Sequence, residues 1–119
     1  MLNEGILTFT ASGTLEAKRR VKIKAATATV PPEVEYCGAG DPGIGFTEYK
    51  ATVGQPIAVR LDNYPGSKEA VAAKAIAVAT AVYAAANGMI SDAVSGASIG
   101  MTKEAATALN DIIEIVQVN

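Results

Sequence analysis

The chain has 119 residues, a formal charge of −2 and a sequence pI near 5.0; this is material for one domain, and the balance leaves no overall basic footprint for nucleic acid. A single cysteine, Cys37, and the absence of histidine exclude an internal disulfide and remove the usual general base and the commonest metal ligand. Half of the residues are apolar, yet 23 are alanine and none is tryptophan, so the area buried per residue is modest and a monomer is expected to sit near marginal stability.

In chain order, the opening "MLNEGILTFT" is apolar and poor in charge, and residues 1–12 are expected to form an extended N-terminal arm ahead of a single β-rich domain over 13–119. Glu4 stands where a signal peptide would need a cationic region, so export by that route is not expected. Leu7, Phe9, Val21 and Ile23 alternate with polar residues as half-buried strands do, with Ser12-Gly13 as the turn between them. Pro31-Pro32 precedes a short strand, Glu33 to Cys37. "QPIAVRL" reads as another strand, and "LDNYPG" carries the turn chemistry that connects two halves. Residues 67–93 are alanine-rich, which favours a helix over 68–86; against it, Val71, Ile76, Val78 and Val82 miss helical spacing, and Asn87-Gly88 between short apolar pairs is a hairpin signal. The reading adopted is strands with at most one short helical turn, near 76–80, the helix standing as its alternative. The longest apolar run, between Lys74 and Asp92, is broken by Asn87-Gly88 and makes a poor membrane span.

The sequence repeats itself. "GIGFTEYKAT" at 43–52 returns as "SIGMTKEAAT" at 98–107, an offset of 55 positions. The same offset places Ile44, Gly45, Thr47, Ala51, Thr52, Ile57 and Leu61 on Ile99, Gly100, Thr102, Ala106, Thr107, Ile112 and Val116. The predicted duplication runs over about 20–61 and 75–118. Two copies are too few for a solenoid, so the predicted fold is mainly β, a small pseudo-symmetric domain of barrel or sandwich type.

Four features resemble chemistry. "GAGDPG", Gly38 to Gly43, has dinucleotide-loop spacing, but Pro42 sits inside it and a strand, not a helix, is expected to follow. Lys18, Arg19, Arg20, Lys22 and Lys24 hold half of the ten basic residues; on a strand, Lys18, Arg20, Lys22 and Lys24 share one face, either a solvated edge or a docking patch for an acidic protein surface. No aromatic interleaves them, which argues against nucleic acid. Asp41, Asp62, Asp92 and Asp111 lie beside turns, far from any base, and Cys37 has no histidine to activate it. No enzyme, cofactor or metal is expected.

Taken together, the short T-x-T strand, the segments "VEYCGAGDPGIGFTEYKATVGQPIAVRL" and "AVYAAANGMISDAVSGASIGMTKEAATALNDIIEIVQV" resemble the capsid decoration, or cement, proteins of tailed phages, over about residues 5–118. The resemblance implies a β-rich structural protein, commonly a homotrimer, made in the host cytoplasm and carried on the outer surface of the virion. Its partner is then the major capsid protein, with no nucleic acid, membrane or small-molecule substrate. The residues expected to touch the capsid are Leu2, Ile6, Leu7 and Phe9 of the arm, aided by Lys18, Arg20, Lys22 and Lys24. The alternative is a small β-barrel that binds a ligand or carbohydrate, which calls for aromatics around a pocket.

Overall fold

The computed structural model describes residues 5–25, 31–63 and 67–117. Strand β1 (Ile6–Ala11) leads through the Ser12-Gly13 turn to β2 (Arg20–Ile23), followed by β3 (Glu33–Tyr36), β4 (Gly45–Thr47) and β5 (Pro56–Leu61). These five close into a barrel in the order β1-β3-β2-β4-β5. The second half repeats the series as β6 (Ser67–Val71), β7 (Ala81–Ala84), β8 (Ile90–Ser91), β9 (Ser98–Thr102) and β10 (Ile112–Val116), in the order β6-β10-β9-β7-β8. Its outer strands meet through one parallel bridge, Ala72 with Ile90, so the second sheet is a barrel barely closed. Each interior is filled by side chains. Phe9, Leu15, Val21, Val34, Ile57 and Val59 pack the first, and Ala70, Ile76, Val82, Ile90, Ile113 and Ile115 the second.

The mainly β, pseudo-symmetric reading holds, with three corrections. Residues 6–11 are not an arm: β1 pairs antiparallel with β5 from Ile6–Arg60 to Thr10–Pro56 and parallel with β3. Its counterpart in the second half is β6, which pairs with β10 in the same way. The duplication therefore begins at β1 and not near residue 20. The pairing buries Phe9 and Ala11, which are cheaper to place in a barrel interior than to leave in water; Leu2, also assigned to the arm, lies outside the described residues.

The second correction concerns register. Thr47 pairs with Val59, and Thr102 with Ile115, so Val59 answers to Ile115 and Ile57 to Ile113, not to Ile112. "TALND" is one residue longer than "TVGQ", and past it the offset becomes 56. Side chains alternate along a strand, so this single residue decides which ones face inward: Ile57 and Ile113 are buried, whereas Ile112 is exposed.

The third is local. Residues 68–86 hold β6, a bridge of Ile76 to Ala106, and β7. The short helical turn lies at Ala86–Gly88, where Asn87 and Gly88 take positive φ and join β7 to β8, and not near 76–80. Alanine's helix preference is worth at most about 1 kcal/mol per residue, less than the strand pairing and burial it competes with. The Pro65-Gly66 turn predicted between the halves lies outside the described residues.

The repeated I-G-x-T element has a physical role. A Cβ at Gly45 would strike the carbonyl oxygen of Arg60, and one at Gly100 that of Val116, so only glycine lets these strands approach. Thr47 Oγ1 accepts from Arg19 N at 3.0 Å and donates to Glu16 O at 2.7 Å; Thr102 Oγ1 accepts from Thr80 N at 2.9 Å and donates to Ala77 O at 2.8 Å. Each threonine pins the loop that enters the second strand of its barrel.

Candidate functional site

The loop pinned by Thr47 delivers Lys18, Arg19 and Arg20 to the junction between the barrels. Lys18 has a left-handed backbone (φ 62), as does its counterpart Ala79 (φ 60), and this turn throws the lysine off the strand. Lys18 Nζ lies 3.5 Å from Glu48 of its own barrel and 3.2 Å from Glu69 of the other. Arg20 is buried, donates to both carboxylate oxygens of Asp62 at 2.9 and 2.8 Å, and sits 5.3 Å from the Phe46 ring centroid. Asp62 also accepts from Gln117 of the second barrel at 3.0 Å. Burial pushes the Asp62 carboxyl up, but the bonds and charge of Arg20 outweigh it and the net pKa lies below the ordinary value. Phe46, on a strand of the first barrel, packs into the core of the second. Lys68 is buried against it, and burial lowers its pKa.

Two crevices flank this junction, one of about 210 Å³ beside Lys18, Phe46, Arg60 and Lys68 and one of about 220 Å³ beside Arg20, Asp62, Ser98 and Gln117. A more open groove of about 420 Å³ runs past Arg19, Val71 and Ile112. Phe46 is the one aromatic residue among their walls.

The sequence-predicted residues fall into separate places. Ile6 and Leu7 are exposed at the entry of β1, whereas Phe9, two residues on, is buried in the first core. The expected row of four cations does not form: Lys18 and Arg20 are drawn into the junction, Lys22 Nζ pairs with Asp41 at 2.8 Å, and Lys24 Nζ lies 3.8 Å from Glu33. Each of these cations meets a carboxylate on its own chain, and the attraction and hydrogen bonds of the pair offset the solvation it gives up. The hydrogen bond between Lys22 and Asp41 raises the pKa of the first and lowers that of the second.

Asp41 also accepts from Gly38 N at 2.8 Å, so the Gly38–Gly43 loop is a turn stitched by its own aspartate. Burial raises the Cys37 thiol above its ordinary value, which makes it a poor nucleophile at neutral pH. Ser67 donates to Glu114 at 2.7 Å, and that bond holds the Glu114 carboxyl below its usual range, a weak base for any proton transfer. Among the described residues no group of three or more His, Cys, Asp or Glu is placed to hold a metal ion. Of the junction residues, sequence reasoning gave Phe46, Glu69 and Gln117 no role and read Asp62 only as an aspartate beside a turn; the pairing of Phe46 with Met101 in the repeat was the one available signal.

No protein-family model matches the chain, and no curated protein matches it. Among solved structures it is similar to the head fiber gp8.5 N base of bacteriophage phi29, with a TM-score of 0.80 over 95% of this chain and 92% of that one, at 15% sequence identity. The two share a fold, and the likeness is to a phage head protein, the class to which the sequence resemblance also leads.

Proposed function

We propose that this chain is a structural protein of a phage head, a decoration or cement protein that binds the major capsid protein on the outer surface of the shell and strengthens it, with no catalytic step and no cofactor. The observation that carries the reading is the fold shared with a phage head fiber base over nearly the whole chain. Filled barrels and crevices poor in aromatics favour it over a ligand- or carbohydrate-binding module. The capsid-facing surface is a folded face of the β domain, since β1 is tied into the first barrel.

Purified protein mixed with heads that lack it is expected to cosediment to a saturating ratio and to raise the temperature at which the heads release DNA. Protein that stays in the supernatant sinks the proposal. Binding without any gain in head stability keeps the attachment and removes the cement role.

A further inference from the structure

The chain has one Asn-Gly pair, Asn87-Gly88, at the turn between β7 and β8. Asparagine is chemically labile, and most so before glycine, whose unencumbered backbone nitrogen can reach the neighbouring side chain. In that reaction the Gly88 nitrogen attacks Asn87 Cγ, the Cγ–Nδ2 bond breaks, and ammonia leaves with the proton that the backbone amide gives up. Water then opens the cyclic imide at either carbonyl. The product is aspartate, or an isoaspartate whose backbone runs through the former side chain.

The folded geometry holds this reaction off. Asn87 has φ 59 and ψ 34. At that ψ the Gly88 nitrogen lies nearly anti to the Asn87 Cβ, whereas ring closure needs the two nearly eclipsed, a rotation of roughly 150°. Gly88 cannot turn in place: its N–H donates to Cys37 O at 2.9 Å, and a Cβ on it would lie 2.7 Å from Arg20 O and 3.0 Å from the Tyr36 ring. Asn87 O accepts from Arg19 Nη1 at 2.9 Å. The side chain that would be attacked is exposed, and the residue that would attack it is buried.

These restraints come from across the junction. Arg19, Arg20, Tyr36 and Cys37 belong to the first barrel and the turn to the second, where the following strand meets β6 through the single Ala72–Ile90 bridge. The first barrel closes the same place differently. Its Ala11–Val34 pair answers to Ala72–Ile90, so Pro31-Pro32 stands where the second barrel has Asn87-Gly88, and a proline nitrogen has no proton to give up. The reactive pair thus sits in the less closed barrel, kept in order by its neighbour.

We propose that Asn87 is a deamidation site gated by the junction between the barrels: it converts only when the turn parts from Arg19 and Cys37, and the isoaspartate product keeps them from reseating. Isoaspartate adds a carbon to the backbone of a turn packed under Arg20 O, so the Gly88 N–H no longer lines up with Cys37 O. The modified chain therefore records each opening of the junction irreversibly. This inference stands apart from the phage reading, and its test needs no heads.

The whole chain is incubated at mildly alkaline pH, folded and in urea, and conversion at Asn87 is read by peptide mass mapping with enzymatic methylation of isoaspartate. Conversion follows the open population, so the folded protein is expected to convert at least about a hundredfold more slowly than the chain in urea. Arg19→Ala is expected to speed conversion roughly tenfold and to speed amide exchange at Gly88 by the same factor, with exchange at buried Ile115 unchanged. Asn87→Gly suits the left-handed turn; it should keep its melting temperature through an incubation in which the parent chain develops a lower-melting fraction that matches its isoaspartate content. Equal conversion in the two conditions, unchanged conversion in Arg19→Ala, or a rise matched by exchange at Ile115 overturns the gate. Isoaspartate-containing protein that melts like the fresh chain overturns the failure to reseat.

Discussion

The two barrels are built on one plan and differ in what closes and seals them. The first closes through the parallel pairs Thr10–Glu33 and Ala11–Val34, with a four-residue β3; the second has a two-residue β8 and a single bridge. The second recovers burial from its neighbour, since Phe46 joins its core. Charge is distributed just as unevenly. The first barrel carries the Arg20–Asp62 pair, and Ala81 stands at the Arg20 position of the second. A duplicated unit has thus specialised by the residues at its junction, while its interior stayed apolar with Ala70 in the second barrel at the place of Phe9 in the first.

The largest expected effect tests whether β1 belongs to the barrel or to an arm. Deleting residues 2–10 removes most of β1, including buried Phe9, and should abolish cooperative thermal unfolding; a truncated chain that melts like the whole one breaks the comparison at its root. Phe46→Ala comes next, with a cost of about 3–5 kcal/mol for a large buried aromatic, whereas Met101→Ala, at the exposed counterpart, should cost well under 1 kcal/mol in the monomer. Urea unfolding measures both, and equal losses would mean that the faces are not distinct.

Asp62→Ala leaves Arg20 buried without its carboxylate, at a cost of about 3 kcal/mol. Because the folded Asp62 pKa is depressed, the stability it adds is fully present above the unfolded value of about 3.9 and is lost as pH falls through the lower folded value. Asp62→Asn should therefore flatten the acid limb of a stability–pH curve, and an unchanged limb would assign acid sensitivity elsewhere. Thr47→Val and Thr102→Val should cost about 1–3 kcal/mol each, because both strand a loop amide and carbonyl in the same way. Clearly unequal melting shifts would show that the pinned loops are not equivalent.

The smallest effect concerns the loops that differ in length. Gln55 Oε1 accepts from Thr52 N at 2.9 Å, and Asp111 Oδ2 accepts from Thr107 N and Oγ1, each at 2.8 Å. Gln55→Ala and Asp111→Ala are each expected to lower the melting temperature only slightly, with Asp111 the larger because it is charged and makes more bonds. Calorimetry resolves the order.

Much of the barrel plan is legible in residues that carry their reason locally. Gly45 and Gly100 are needed where strands approach closely, Thr47 and Thr102 where a loop must be pinned, and Asn87-Gly88 where two strands turn back. The membership of β1 was not legible, because "ILTFTA" and its counterpart "SKEAVA" share almost no side chains; what relates them is their pairing with β5 and β10. The candidate site was the least legible. Lys18 and Arg20 read as a solvent-facing row until the left-handed turn at Lys18 and the carboxylate of Asp62 are placed beside them.

By itself the sequence determined the β class, the twofold repetition and the lack of a catalytic motif, because alternation, glycine placement and residue inventory are properties of short stretches. Only the tertiary structure decided the register after Thr107, the burial of Arg20 and Phe46 between the barrels, and which apolar residues remain outside. Those outcomes depend on energies summed over contacts between residues distant in the chain: one inserted residue reverses the inward face of a strand, and one distant carboxylate turns an exposed cation into a buried one.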